Sequence, residues 1–339
     1  MSESGPGVAE EVPLEPDRPI IDPHLHLWEI FAAPGGSTQS HRFFVPEAAA
    51  MIAASGRKVT HTVFLECGAM HRADGPAELR CVGETEFVAG QAAMSASGRY
   101  GPARIAHRIV GTADLLLGEA VAPVLEAHVS AGGGRFRGIR MAAAWREAGM
   151  FGFPCNPALR GLLARPEFRA GAKVLAKMGL SLDVWLFHPQ LAELIALADA
   201  VPDLTIVLDH IGTPDIAGRG QAAVDEWSAL IAELACRPNV VIKLGGMGMD
   251  MDGAIGSSHR GLPSEVLAER WRPMVDTCIA AFTPARAMFE SNFPMDNATG
   301  SYGATWNAFL RIAAGYSPSE KDDLFRRTAA RTYTIELED

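Results

Sequence analysis

PIIDPHLHLW, residues 19–28, has the composition of a β-strand, yet it carries an acid and two histidines at alternate positions. Side chains of a strand point in turn to opposite faces, so Asp22, His24 and His26 are predicted to share one face. The residues between them are apolar and would share the other face. A strand with one apolar face against helices and polar groups turned inward is typical of a closed barrel with its chemistry at the strand ends.

Strand-like segments, each followed by a helical pattern, recur along the whole chain. There are eight, at residues 19–26, 59–66, 103–115, 136–141, 180–187, 204–209, 239–244 and 286–290. This alternation predicts βαβ units and a parallel sheet. Eight units without an intervening linker predict a single α/β domain, a (β/α)8 TIM barrel over residues 19–339. A doubly wound open sheet would need a Gly-rich phosphate turn after its first strand, and PHLHLW is not one.

The amino-acid composition limits which classes of protein this chain can belong to and which partners it can bind. Residues 1–18 are acidic, rich in Pro and Gly, and lack the pattern of a secretory signal, so a flexible acidic arm is predicted. No apolar run is long enough to predict a membrane span. Five scattered cysteines without a CxxC pair predict free thiols and a cytoplasmic location. A net charge of −10 argues against nucleic acid and anionic membranes. The partner predicted is therefore a small-molecule substrate, and the sequence leaves open whether the chain forms a homo-oligomer.

Several of the other predicted strands end in a residue with a polar side chain. The same alternation predicts that they turn toward one central mouth: Glu66, Arg140, His210, Lys243, Glu290 and Asn292. His188 reaches this mouth only if its strand has already ended, because Asp183 and Trp185 share a face that excludes it. Glu290 is the hardest of these residues to explain as packing, because a buried carboxylate on an apolar strand needs a partner or a role. Arg140, by contrast, has a structural reading as the ion-pair partner of Glu66.

Two histidines at i and i+2 of a strand lie roughly 6.5 Å apart along it, so both rings can converge on one ion or one water. His24 and His26 are therefore predicted to bind a divalent metal, most readily zinc. With a third histidine and a carboxylate, such an ion could turn water into a nucleophile near neutral pH.

Several stretches together resemble the amidohydrolase superfamily, in particular its amidohydrolase-2 branch of lactonase-like hydrolases. They are IIDPHLHLW, FRGIR, LDVWLFHPQLAELIALADAVPDLTIVLDHIG, NVVIKLGG and RAMFESNFPMD, and the resemblance runs from about residue 19 to 337. It implies a (β/α)8 barrel that acts on a lactone, an aromatic acid or a related small carbonyl compound. It also implies either one divalent metal ion, zinc or manganese, or a metal-independent site, since some lactonases of the branch work without any.

Carried over residue by residue, the resemblance implies that His24 and His26 are the first-strand pair and that His188 and His210 are strand-end histidines. The arginine of RGIR is Arg140, which would hold a substrate carboxylate or hydroxyl. The last motif departs from the branch, which reads G-S-D-W-P where this chain reads E-S-N-F-P at residues 290–294. Asn292 thus stands where an acid/base Asp is expected, and an amide cannot exchange a proton at pH 7.

Glu290 is the favoured replacement for that carboxylate, with Asp296 and Glu66 as alternatives. The resulting hypothesis is a hydrolase that opens a lactone with an activated water. Its catalytic residues would be Glu290, Asn292, His188 and His210, and its substrate-binding residues Arg140, Glu66, Trp28 and Asp296, with Trp185 as a further wall. A metal-dependent, non-oxidative decarboxylase of an aromatic or unsaturated acid is the alternative enzyme. The exchange at Asn292 leaves a third reading, a degenerate barrel that only binds a small metabolite.

Overall fold

The structure is a computed structural model that describes residues 11–30, 41–151, 153–216, 219–249 and 261–337. Its strands, in chain order, are β1 (Ile20–Leu25), β2 (Trp28–Ile30), β3 (His41–Phe43), β4 (Val59–Leu65), β5 (Arg104–Gly111), β6 (Phe136–Ala142), β7 (Ser181–Trp185), β8 (Ile206–Leu208), β9 (Val240–Leu244) and β10 (Ala287–Phe289). Its α-helices are α1 (Val45–Ala54), α2 (Val82–Ala96), α3 (Ala122–Ala131), α4 (Pro166–Lys177), α5 (Leu191–Ala200), α6 (Gln221–Ala235), α7 (Ser264–Phe282), α8 (Tyr302–Ile312), α9 (Pro318–Asp322) and α10 (Thr328–Tyr333).

Eight strands form one parallel sheet in the order β1-β4-β5-β6-β7-β8-β9-β10, and β2 and β3 pair separately as a short antiparallel ribbon. The first and last strands of the sheet meet through a parallel bridge between Leu25 and Phe293. Here the His26 amide donates to the Phe293 carbonyl (2.9 Å), and the Asn292 amide donates to the His24 carbonyl (3.0 Å). The predicted (β/α)8 barrel is confirmed, and each of the eight predicted segments contains a strand.

Two apolar layers hold the barrel together. The outer layer lies between the strands and the helices and includes Ile20, Leu25 and Phe289. The inner layer fills the barrel below its mouth, with these members: Ile21, Val63, Leu65, Val110, Val207, Met288, Ala329, Ala330, Tyr333 and Ile335. Because Tyr333 belongs to the last helix, α10 closes the barrel interior from the amino-terminal side, and the interior opens at the carboxyl ends of the strands.

The alternation predicted for β1 is wrong at Asp22. Register shifts on both sides of Ile21 and Asp22 break the period of two. Ile21 faces the inner layer, whereas Asp22 binds Tyr302 of α8, whose hydroxyl donates to its Oδ2 (3.0 Å). After the second shift the phase recovers, so His24 and His26 reach the mouth as predicted.

The described part of the predicted arm contacts the barrel. The Leu14 amide donates to Oδ1 of Asn307 (2.8 Å), and Lys321 pairs with Glu15 (2.7 Å). Residues 1–10 lie outside the described residues, so the division into arm and barrel stays a prediction. Within the described ranges, none of the helices has both the length and the apolar composition that a membrane-spanning segment needs. All five cysteines are free, as predicted.

Candidate active site

Glu290 lies at the centre of the mouth, one residue beyond β10, and is fully buried. Its Oε1 accepts a hydrogen bond from Nδ1 of His210 (2.7 Å) and another from the His210 backbone amide (3.1 Å). Its Oε2 lies 2.7 Å from Nδ1 of His24. One carboxylate therefore orients two imidazoles, whose ring centroids are 4.6 Å apart. Since Glu290 takes the Nδ1 side of both rings, their Nε2 atoms remain for substrate, water or metal.

His210 reaches the mouth through a turn rather than along a strand. β8 ends at Leu208, and the backbone then has positive φ at His210 (56°) and Ile211 (51°). Such a conformation is rare for a β-branched residue, and strain of this kind concentrates at functional sites. The alternation that predicted an inward His210 fails in β8, because Ile206 and Leu208, which would share its face, belong to the outer layer.

Two glycines after β9 make room for this arrangement. A Cβ on Gly246, whose φ is +66°, would overlap the His210 ring, and a Cβ on Gly245 would overlap the Glu290 side chain. The sequence GG therefore lets the backbone approach the Glu290–His210 pair more closely than any other residue type allows.

Lys243 lies below the two histidines and is also fully buried. Its Nζ is 2.8 Å from Oδ2 of Asp183, 3.0 Å from Oδ1 of Asp209 and 3.2 Å from Nδ1 of His24. Asp183 also accepts a hydrogen bond from the Tyr333 hydroxyl (2.5 Å). The inward position of Lys243 confirms the alternation predicted for β9. Asp209 follows the same alternation in β8 as the inward-facing Val207, a signal that could have identified it from the sequence.

The electrostatics of this cluster separate charged from neutral groups. Burial holds the pKa of His24 well below its usual range, so its ring is neutral near pH 7. Burial alone would raise the pKa of Glu290, but His210 and His24 outweigh it and hold that pKa below the usual range. Burial would likewise lower the pKa of Lys243, but Asp183 and Asp209 hold it above the ordinary value. The site thus keeps an ionised Glu290 beside a neutral ring, as a proton-accepting pair requires.

His26, Trp28, Asn292 and Asp296 form one wall of the mouth. His26 stacks on Trp28 with ring centroids 5.5 Å apart, and its Nδ1 lies 2.9 Å from the Leu65 carbonyl oxygen. Burial and the charge of Arg140 lower the pKa of His26 to about 3. The side-chain amide of Asn292 donates through Nδ2 to Oδ1 of Asp296 (2.7 Å). Burial raises the pKa of Asp296 to about 7. Asn292 thus contacts an acid that can exchange a proton near neutrality.

Arg140 of β6 and Glu66, which follows β4, form an ion pair across the intervening strand β5, with Nε of Arg140 2.8 Å from Oε1 of Glu66. Nη2 of Arg140 also donates to the Glu66 carbonyl oxygen. The predicted ion pair between Arg140 and Glu66 is therefore present, and a role of Arg140 in substrate binding stays a prediction. Trp185 lies on another side of the mouth, with its ring 6.2 Å from His210.

The residues that could hold a metal differ from the predicted pair. His24, Asp209 and His210 each offer a ligand atom, and these atoms lie within 4.8 Å of one another. His26 is not part of this group, so the structure replaces His26 by Asp209 and His210. The residues fit a divalent ion, because Nε2 of His24 and Oδ2 of Asp209 are buried and make no hydrogen bond with any described residue. The carboxylates of Asp183, Asp209 and Glu290 also outnumber the single ammonium group.

His188 does not join the cluster, contrary to its predicted catalytic position. Its Nδ1 accepts from the Asp215 amide (2.8 Å), and its Nε2 lies 3.8 Å from Glu226 on α6. The cause is the end of β7 at Trp185, after which a turn directs His188 toward that helix. The other predicted site residues lie at or around the mouth, while the roles assigned to them remain predictions.

The family model Amidohydro_2, described as amidohydrolase, matches residues 21–335. An "Uncharacterized protein y4mH" from Sinorhizobium fredii is 33% identical over 332 residues, which cover 94% of this chain and 99% of that protein. An L-fucono-1,5-lactonase from Burkholderia multivorans is 30% identical over 200 residues, or 57% of this chain and 66% of that one. A crystal structure of an amidohydrolase from Burkholderia multivorans with bound HEPES is similar at a TM-score of 0.71 and 25% identity. That similarity covers 94% of this chain and 100% of the other.

Proposed function

Because the chain belongs to the Amidohydro_2 family of amidohydrolases, we propose that it hydrolyses the ring ester of a small lactone, with sugar-acid lactones as the best candidates. One observation carries the proposal: Glu290 binds Nδ1 of His210 and lies against Nδ1 of His24, with all three side chains buried at the mouth. The similarity to an L-fucono-1,5-lactonase supports the choice of substrate class.

His210 would act as the general base in this reaction. Its Nδ1–H is donated to Glu290, so Nε2 carries the lone pair that can take a proton from water. The negative charge of Glu290 stabilises the imidazolium that forms, as the acid of a catalytic triad does. The hydroxide equivalent attacks the ring carbonyl carbon and gives a tetrahedral oxyanion.

The ring C–O bond then breaks, and the leaving alkoxide receives a proton. His210 can return the proton that it took, and Asp296 is a second donor because its pKa of about 7 keeps part of it protonated near neutrality. Arg140 would orient the substrate by charge-assisted hydrogen bonds. The product is a hydroxy acid, which ionises near neutral pH, so each turnover releases one proton.

His24, Asp209 and His210 would hold a divalent metal ion. When bound, such an ion polarises a carbonyl oxygen and lowers the pKa of a bound water. His210 could not serve as metal ligand and as base through the same Nε2 at once. The two versions of the proposal, with and without metal, therefore differ in the role of that single nitrogen.

The test is a panel of sugar-acid lactones that includes L-fucono-1,5-lactone, with proton release followed by a pH indicator. Open-chain methyl esters and aromatic carboxylic acids serve as controls, the acids with carbon dioxide detection. Metal content is measured in parallel by elemental analysis, before and after chelation. We expect saturable opening of at least one lactone without carbon dioxide release. Carbon dioxide from an aromatic acid, with every lactone inert, would contradict the proposal. Turnover that survives complete metal removal would assign Nε2 of His210 to the base.

A further inference from the structure

A second cavity, of about 650 Å³, lies at the amino-terminal face of the barrel, on the side opposite to the candidate active site. Val59 and Arg104, the first residues of β4 and β5, are among its lining residues. Its volume is within the range of small-molecule sites. It shares no residue with the cluster around Glu290, so it is a separate feature of the molecule.

The lining of this cavity is strongly basic. Six cationic or imidazole side chains contribute to it, namely Arg57, Lys58, His61, Arg104, His107 and Arg108. Arg57 is buried and directs its guanidinium to the Leu14 carbonyl and to Oδ1 of Asn307, so the charge that faces a ligand comes from the others. Glu336 is the one acidic residue among the lining residues. The chain as a whole has a formal net charge of −10, so this concentration of positive charge runs against the overall balance. A cavity of one charge sign attracts and concentrates ligands of the opposite sign.

A backbone irregularity in β5 brings two of these side chains to the cavity in succession. Ala106 has a φ of +53°, and the register between β4 and β5 shifts between the His61 and Val63 positions. In a regular strand, His107 and Arg108 would point to opposite faces. The irregularity lets both line the cavity, where the rings of His61 and His107 lie 4.6 Å apart.

The cationic groups here are close enough to oppose one another. Burial, and then the charges of Arg137 and Arg135, lower the pKa of Arg108 to about 10. Arg108 is held in place all the same, because its Nε donates to the Thr334 carbonyl (3.0 Å) at the end of α10. Bringing like charges together costs free energy unless a counter-charge is present, and among the described lining residues Glu336 is the one acid.

We propose that this cavity binds a small molecule that carries a phosphate group. The guanidinium group of Arg104 offers the planar, paired donors that match phosphate oxygens. Arg108, whose Nε and Nη2 donate to the Thr334 carbonyl, would donate to the phosphate through Nη1. The lining also includes Ile52 and Tyr100, which suit a ring or aliphatic portion of the ligand. The cavity is distinct from the site proposed for the lactone reaction, because the two share no residue.

The test is isothermal titration of the full chain at low ionic strength with AMP, inorganic phosphate and adenosine. We expect saturable binding of AMP with a Kd below about 1 mM, weaker binding of phosphate and none of adenosine. Arg104→Gln and Arg108→Gln should each raise the Kd of AMP about tenfold, the size of one lost charge-assisted hydrogen bond. Glu336→Gln should lower the Kd, because it removes the one lining carboxylate.

Arg270→Gln is the matched control, since it removes the same charge from an exposed position on α7 and should leave the Kd unchanged. Arg108 binds α10 and its loss can disturb folding, so Arg104, which is exposed, gives the decisive variant. Absence of AMP binding, or a Kd that Arg104→Gln leaves unchanged, would overturn the proposal. So would binding that Glu290→Gln abolishes, which would place AMP in the active site.

Discussion

Lys243 shows how a single side chain sets the charge of the active site. It is a fully buried ammonium group between Asp183 and Asp209, and it also contacts His24. Its removal would leave two buried carboxylates facing each other without a cation. Such unpaired buried charge costs more free energy than the pair itself contributes.

Lys243→Met should therefore reduce the free energy of unfolding by about 3–5 kcal/mol, measured by urea denaturation. Lys177→Met, at an exposed position on α4, is the control and should change it by less than about 0.5 kcal/mol. Addition of Asp209→Asn to Lys243→Met should recover part of the loss. A loss below about 1 kcal/mol in the single variant would show that Lys243 does not balance these carboxylates.

A substitution at Asn292 can distinguish a catalytically active site from one that has lost its activity. The resemblance to the amidohydrolase-2 branch predicts an acid at this position, but Asn292 contacts Asp296, and Glu290 lies two residues before it. In Asn292→Asp a new carboxylate would face Asp296, and the two would compete for one proton. We expect lactone hydrolysis to change by less than about tenfold, because Glu290 already supplies the required charge. A gain above about a hundredfold in kcat/KM would instead indicate that the site of the wild-type protein has lost its catalytic function and only binds a small molecule.

Asp296 should also make stability depend on pH. Burial raises its pKa from 3.8 to about 7, so between these values the folded protein binds a proton that the unfolded chain releases. This contribution is complete below about pH 4 and is lost as the pH rises through about 7. From pH 4.5 to 7.5 the wild type should lose about 3 kcal/mol more unfolding free energy than Asp296→Asn, in urea titrations at each pH. Parallel curves for the two proteins would contradict this.

At the scale of the elements, the turn after β9 fixes the position of the catalytic pair. Gly246 lies with positive φ against the His210 ring, and any side chain there would displace it. Gly246→Ala should lower kcat/KM for the lactone more than about tenfold, because small displacements of catalytic groups cost rate. Gly90→Ala in α2 faces open space and should stabilise the protein by about 0.5–1 kcal/mol without loss of activity. Equal activity of the two variants would show that the turn does not set the site.

The alternation of side chains predicted much of the site because most strands are regular. It placed Lys243 of β9 and Met288 and Glu290 of the last strand inward, as the structure has them. It was wrong at Asp22, where register shifts in β1 change the phase. It predicted correctly that His210 reaches the mouth, but for the wrong reason. A turn with positive φ, rather than the alternation along the strand, directs the His210 side chain there. Bulges and turns depend on packing with distant elements, so a local period cannot reveal them.

At the scale of the whole molecule, the barrel separates two regions of different charge. The carboxyl ends of the strands gather carboxylates, histidines and two cations, Lys243 and Arg140, whereas the amino-terminal face carries the basic cavity. Between them lies the inner apolar layer, closed by Tyr333 of α10. The eight-unit barrel followed from the repeat of strands and helices. The alternation in β8 could have placed Asp209 inward, but its approach to His24 and His210 depends on how the strands close around the mouth, which a local pattern does not show.

The central claim is that Glu290 prepares the two histidines for lactone hydrolysis, and Glu290→Gln tests it most directly. The measurement is kcat/KM for the lactone that the wild type opens fastest, with a thermal melt to confirm folding. Glu233→Gln, an exposed substitution on α6, is the matched control. The account predicts a loss of about a thousandfold or more for Glu290→Gln and no change for the control, because an amide can neither fix the His210 tautomer nor stabilise its imidazolium. A folded Glu290→Gln variant within tenfold of the wild type would contradict it.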